Sequence, residues 1–210
     1  KMSMTKVTSG IIDTLDASKL TGVMPAMDGS ALTNLPAGGT WVPLQEVIAD
    51  NTSTSVSFTG PMFSSTYTNY VIVFNRVLPA NQNVELLYEF YQNSAWTSAS
   101  YRYSHWGYTV NGVERSSYST SNTKGRLISG TLASDAYAGM GGIIRCWCPT
   151  AVGYPSWRVE SSLLPNSGYP MQSTGVIQAW NSGLVTNMRF SVSSGNMASG
   201  EFRLYGIKDS

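Results

Sequence analysis

Side chains able to do acid–base or nucleophilic chemistry are sparse in this sequence. The single histidine, His105, sits among aromatics in Tyr103-Ser104-His105-Trp106-Gly107. No G-x-S-x-G elbow accompanies it, so no nucleophile with its base can be read. Of the acids, Asp13, Asp16, Asp28 and Asp50 lie in or near an N-terminal segment of distinct composition, and Asp209 is terminal. Glu85, Glu89, Glu114, Asp135, Glu160 and Glu201 remain as the main candidates for the carboxylate pair of a glycosidase. Glu85 and Glu89 share a strand face but stand roughly 13 Å apart, beyond the ~6.5–9.5 Å of an inverting pair. They are expected to be solvated outer-face residues, and no catalytic residue is assigned.

Soft ligands and phosphate cradles are equally thin. Cys146 and Cys148, the only cysteines, fall in Ile143-Ile144-Arg145-Cys146-Trp147-Cys148-Pro149, which reads as a strand. Residues i and i+2 of a strand hold their Cβ atoms roughly 6.5–7 Å apart, too far for a bridge that needs about 3.8 Å. Two packed thiols are expected. A metal would need further soft ligands, and His105 is remote, so neither metal nor cofactor is predicted. Gly139-Met140-Gly141-Gly142 runs into that strand and lacks a following Lys-Ser/Thr, which makes it a tight turn or an edge bulge and not a phosphate loop.

Recognition chemistry is better represented. The segment from Tyr91 to Tyr108 holds the densest aromatic cluster of the chain, interleaved with Ser, Asn and Arg. Rigid amphipathic rings beside adaptable polar side chains are the composition of recognition surfaces. As a strand, Tyr101, Tyr103 and His105 line one face and Arg102, Trp106 and Tyr108 the other; one face is core, and which one is left open. An aromatic platform beside Asn, Arg or Ser suits the apolar C–H face and the hydroxyls of a sugar ring. The candidate ligand-binding residues are Trp96, Tyr101, Arg102, Tyr103, His105 and Trp106. Loop positions add Tyr118 in the Ser/Thr-rich stretch 116–123, Tyr154 and Trp157 in Gly153-Tyr154-Pro155-Ser156-Trp157, and Tyr169 in Gly168-Tyr169-Pro170. The expected ligand is a glycan, with a protein as the alternative.

The elements that must position these rings are strands. From Trp41 onward, short runs rich in Val, Ile, Phe, Tyr and Thr are separated by Gly, Pro, Asn and Ser clusters. The runs are 41–49, 55–59, 68–78, 84–92, 99–110, 125–133, 140–148, 156–163, 173–180, 187–193 and 201–207. Val84, Leu86, Tyr88 and Phe90 alternate onto one face, as do Met188, Phe190 and Val192. The spacing predicts an all-β, jelly-roll-like antiparallel β-sandwich over 41–210.

Residues 1–40 differ. They hold no aromatic residue, and Asp16-Ala17-Ser18-Lys19-Leu20-Thr21-Gly22-Val23 is echoed by Asp28-Gly29-Ser30-Ala31-Leu32-Thr33-Asn34-Leu35. So few apolar side chains cannot offset ~1–2 kcal/mol of backbone entropy per residue in one chain. Either other copies supply the missing surface in an intertwined stalk, or the segment is a linker. Charged residues are only 12% of the chain and the net charge is +1, with no run of Lys or Arg. That leaves little drive toward nucleic acid, and no apolar stretch approaches the ~20 residues of a membrane span. Neither nucleic-acid binding nor membrane insertion is expected.

At the C-terminus, Gly175-Val176-Ile177-Gln178-Ala179-Trp180 precedes Met188-Arg189-Phe190-Ser191-Val192-Ser193-Ser194-Gly195-Asn196-Met197-Ala198-Ser199-Gly200-Glu201-Phe202-Arg203-Leu204-Tyr205-Gly206-Ile207-Lys208. This resembles the closing segment of distal domains in bacteriophage tail fibres, where an "SSGN" turn and a final "LYGI" strand complete a β-sandwich tip. Asp28 to Pro36 is similar to the fibrous linkers that precede such tips, while about 45–170 take no part in the resemblance. The resemblance implies a homotrimer with a stalk at 1–40 and a receptor-binding tip at 41–210, on a virion tail fibre, with a surface polysaccharide, lipopolysaccharide or protein as receptor; the missing catalytic residues add the expectation of no enzymatic activity. The alternatives are a trimeric adhesin on a bacterial surface and a glycan-degrading tail appendage. In the tip, Ser194-Gly195-Asn196 is expected to reverse the chain between the 188–193 and 201–207 strands.

Overall fold

The computed structural model describes residues 41–208 apart from 59–61, 65, 136–137, 148–153, 155, 166–167 and 180–182. The expected stalk at 1–40 and Cys148 lie outside the described residues. The described residues form an all-β, wholly antiparallel structure of two sheets. The larger runs β1 (Trp41–Ala49), β13 (Met197–Ile207), β3 (Asn69–Pro79), β9 (Met140–Trp147), β10 (Ser156–Leu163), β11 (Met171–Ala179), β6 (Tyr101–Thr109) and β7 (Glu114–Asn122). The smaller runs β2 (Ser55–Ser57), β12 (Val185–Val192), β4 (Leu86–Gln92) and β5 (Ala95–Trp96), with β8 (Gly125–Arg126) also paired to β4.

Period-two alternation sends one set of side chains from each sheet into a shared core. Leu86, Tyr88 and Phe90 of β4 and Met188, Phe190 and Val192 of β12 are buried, as the sequence predicts. Facing them from the larger sheet are Ile72, Phe74, Ile144, Trp157, Ile177, Phe202 and Leu204. Ring contacts join the sheets: Phe190 stacks on Phe202 at 4.5 Å, and Phe90 meets Trp157 at 4.6 Å and 76°. Such pairs add about 0.5–1.5 kcal/mol each beyond the area they bury. Cys146 is a free, buried thiol of this core, and burial pushes its pKa well up.

Three local readings change. The Ser194-Gly195-Asn196 turn does hold Gly195 at φ 74°, but β12 belongs to the smaller sheet and β13 to the larger. It is therefore a crossover between sheets and not a hairpin, held where the Ala80 N–H donates to the Asn196 carbonyl at 2.9 Å. The 125–133 run shortens to Gly125–Arg126, because Leu127 and Ile128 turn into the core and Leu132 makes only isolated bridges to Val84 and Pro165. The 116–123 stretch, read as a loop, is part of the edge strand β7. Asn111-Gly112 closes the β6–β7 hairpin, with Gly112 at φ 79°. Its inward positions Ser117 and Ser119 are polar and only half-buried, so β7 carries no apolar alternation that would mark it as a strand.

Candidate functional site

Strand β6 decides which of its two faces meets solvent. Tyr101, Tyr103 and His105 point inward and are buried, while Ser104, Trp106 and Tyr108 stand exposed on the other side and Arg102 is half-buried. The Tyr101 hydroxyl accepts from the Phe90 N–H at 2.7 Å and donates to the Thr97 carbonyl at 3.1 Å. Tyr103 accepts from the Asn122 amide at 2.9 Å. His105 stacks on Tyr103 at 5.7 Å, and its Nε2–H donates to the Arg126 carbonyl at 2.7 Å. Its Nδ1 faces Gly175, where any Cβ would come within 2.1 Å. Burial pulls the His105 pKa down to about 4. Trp157 is likewise at 0% exposure. Tyr101, Tyr103, His105 and Trp157 are thus buried core residues, where the sequence suggests ligand contacts: on β6 the two-residue repeat that exposes Trp106 buries its alternates, and on β10 the same repeat turns Trp157 inward.

The exposed side of β6 lines a groove of ≈ 760 Å³ on the larger sheet. Trp106 and Tyr108 form its aromatic wall, with ring centroids 4.7 Å apart and planes at 65°. The Trp106 indole N–H donates to Glu114 Oε1 of β7 at 2.7 Å, which fixes the ring. Register places Thr174 of β11 beside Trp106 and Gln172 beside Tyr108, and Ser162 of β10 beside Gln172. Val110, Leu164 and Pro170 close one end. The arrangement offers flat apolar surface next to hydroxyl and amide groups, and it is open to solvent.

The nearby acids are engaged. Glu114 holds Trp106, and Glu160 pairs with Arg158 at 2.9 Å. Among the described residues, no three His, Cys, Asp or Glu side chains gather as a metal site.

Other candidates lie elsewhere. Trp96, on β5 of the smaller sheet, is half-buried against Tyr91 at 5.3 Å, with the Arg189 guanidinium 4.4 Å from its ring centroid. That guanidinium makes two hydrogen bonds to Glu89, at 2.8 and 2.7 Å, and Lys124 approaches the same carboxylate at 3.1 Å. Glu89 is therefore buried and not the solvated residue expected. Burial alone raises its pKa, but the hydrogen bonds from Arg189 and Lys124 outweigh that and leave the carboxyl below its ordinary value. Its companion Glu85 pairs with Arg126. Tyr118, the single ring of β7, is 80% exposed and stands opposite Ser104 in the register. Tyr154 is exposed beside the end of β11, its carbonyl accepting from the Gln178 amide at 3.3 Å. Tyr169 is exposed and precedes the groove residue Pro170.

Of the predicted residues, then, Trp106 enters the groove. Tyr108, on the same strand face, joins it, and Ser162, Gln172 and Thr174 come from distant strands. Alternation marks these three as outward-facing, but only sheet order brings them under the rings.

Searches of protein-family models, curated proteins and solved structures find no match to this chain. The fold and groove define an all-β domain of two antiparallel sheets with an aromatic-walled cleft on the larger one.

Proposed function

We propose that this chain is a cell-adsorption protein whose β domain binds a surface glycan through the Trp106–Tyr108 groove. The observation that carries the reading is the pair of exposed rings, one locked by Glu114, standing over the Gln172, Thr174 and Ser162 side chains. Pyranose rings stack their C–H faces on such surfaces while their hydroxyls exchange hydrogen bonds with amides and hydroxyls. The low charge of the chain is consistent with a neutral, hydrogen-bonding surface.

The closing C-terminal motif and the N-terminal repeat support a fibre setting: a homotrimer with a stalk at 1–40, ending in a jelly-roll-like β-sandwich tip on a virion tail fibre. A trimer presenting three grooves turns weak single-site contacts into firm attachment to a repetitive surface. A bacterial trimeric adhesin would use the same groove in the same way. The reading is binding and not glycan cleavage, because Glu114 and Glu160 are committed to Trp106 and Arg158.

Two measurements test it. Light scattering is expected to give a mass near three times 22.7 kDa, and a clean monomer would remove the trimeric part of the proposal. On a glycan array the chain is expected to bind surface polysaccharide fragments, and Trp106→Ala to lower affinity at least about tenfold by removing the central platform. Binding that survives the substitution unchanged would place the receptor site elsewhere.

A further inference from the structure

The aromatic groove is one end of a longer trough. A cleft of ≈ 370 Å³ shares Ser162 and Gln172 with it and reaches Gly141 and Glu160. A third, of ≈ 310 Å³, shares Gly141 with the second and Gly139 with the first, and ends on Asn75 and Arg76. Register explains the alignment. Tyr108 lies opposite Gln172, Gln172 opposite Ser162, and Ser162 opposite Gly141. Beyond Gly141 the pairing of β9 with β3 shifts between Phe74 and Val77, so that Asn75 and Arg76 together face that one glycine. The row thus crosses β6, β11, β10, β9 and β3, four inter-strand steps of about 4.8 Å, or about 19 Å.

Two features open the far half of the row. Gly141 leaves a gap in the line of outward side chains; a Cβ there would meet nothing closer than 3.5 Å. The bulge holds Arg76 at φ 52°, a left-handed conformation that a residue with a side chain adopts only under strain. Bulges re-aim side chains in this way. Arg76 has no carboxylate partner among the described residues: Glu201, on the neighbouring strand, is taken by Arg203 at 3.2 Å. Glu160, the acid inside the trough, is neutralised by Arg158 at 2.9 Å. Of the charged side chains that line the three clefts, Arg76 is therefore the one without an opposite charge, at the end away from the rings, while the Glu114 carboxylate stands behind Trp106 at the other end.

We infer that the trough takes a linear oligosaccharide longer than a disaccharide, with one sugar on the Trp106–Tyr108 platform and an anionic substituent, a carboxylate or phosphate, at Arg76. The inference rests on the glycan reading of the same groove and deepens it to a ligand class. A neutral terminal sugar would use the platform alone and leave Gly141 and Arg76 without a role.

The test is calorimetry on the full chain with neutral and uronate- or phosphate-bearing linear di-, tetra- and hexasaccharides chosen from array binders. Affinity is expected to rise from di- to tetrasaccharide and to be higher for the anionic set, falling with added salt. Arg76→Asn, which removes the charge but tolerates the left-handed backbone, is expected to cost anionic ligands about fivefold and neutral ones nothing. Arg76→Lys is expected to restore most of that loss. Gly141→Leu is expected to block the trough midway and reduce tetrasaccharide affinity to the disaccharide level, with thermal stability unchanged. Length-independent binding, or equal affinity of neutral and anionic ligands with Arg76→Asn silent, would overturn the inference while a Trp106-dependent glycan site stood. An absence of glycan binders would overturn both.

Discussion

Replacing Trp157 by alanine is expected to lower the stability of the β domain by about 3–5 kcal/mol. The indole is at 0% exposure, packed edge-on to Phe90 at 4.6 Å and to Phe63 at 5.4 Å. It therefore spans from β10 of the larger sheet to β4 of the smaller, and its removal leaves a cavity that the rigid walls of two sheets cannot close. No hydrogen bond is sacrificed, because its Nε1 has no protein partner. The whole loss is packing and transfer energy, and it is a large share of the 5–15 kcal/mol by which a typical domain is stable. Denaturant titration is the measurement, read as a fall in midpoint at constant slope. Trp106→Ala on the exposed side of β6 is the control and should stay within about 0.5 kcal/mol of the parent. A Trp157→Ala protein as stable as the Trp106→Ala protein would contradict the inward orientation of β10.

Acid is expected to destabilise the domain before its carboxylates titrate, and His105 is the reason. Its pKa falls from the ordinary 6.5 to about 4 in the folded chain, because burial disfavours the charged ring. Unfolded chains then bind a proton that folded chains do not, so protonation favours unfolding as pH drops through 6.5. Stability is full above that value, and the loss reaches about 2 kcal/mol by pH 5. The Glu89 carboxyl, held below its ordinary value of 4.5, weakens the fold only at lower pH. Denaturation midpoints at pH 7, 6 and 5 isolate the histidine. His105→Gln, which keeps a donor for the Arg126 carbonyl but does not titrate, is expected to flatten the curve in that window. An unchanged slope in the variant would assign the acid sensitivity to another group.

Much of the local structure was legible because alternation is a local property. Val84, Leu86, Tyr88 and Phe90 point to one face whatever strand lies beside them, and Ser194-Gly195-Asn196 marks a turn by backbone freedom alone, though not which sheet the next strand joins. The same logic failed where locality ends. Glu89 looks solvated in its own strand, and only the pairing of β4 with β12 brings Arg189 against it. Strand β7 has no apolar signature because it is an edge, and being an edge is a property of the sheet.

The sequence by itself determined an all-β chain of low charge, a period-two division of each strand into two faces, and the density of rings in the Tyr91–Tyr108 segment. Only the tertiary structure decided which face was core: Tyr101, Tyr103 and His105 went inward because the β4 and β8 elements of the smaller sheet cover that side. It also decided that Trp106 and Tyr108 share a cleft with Ser162 and Gln172, residues far away in the chain, and that a bulge sets Arg76 at the far end of the same row. The physical reason is that side-chain direction follows from the backbone of one strand, whereas sheet order and register come from the best mutual burial of all of them.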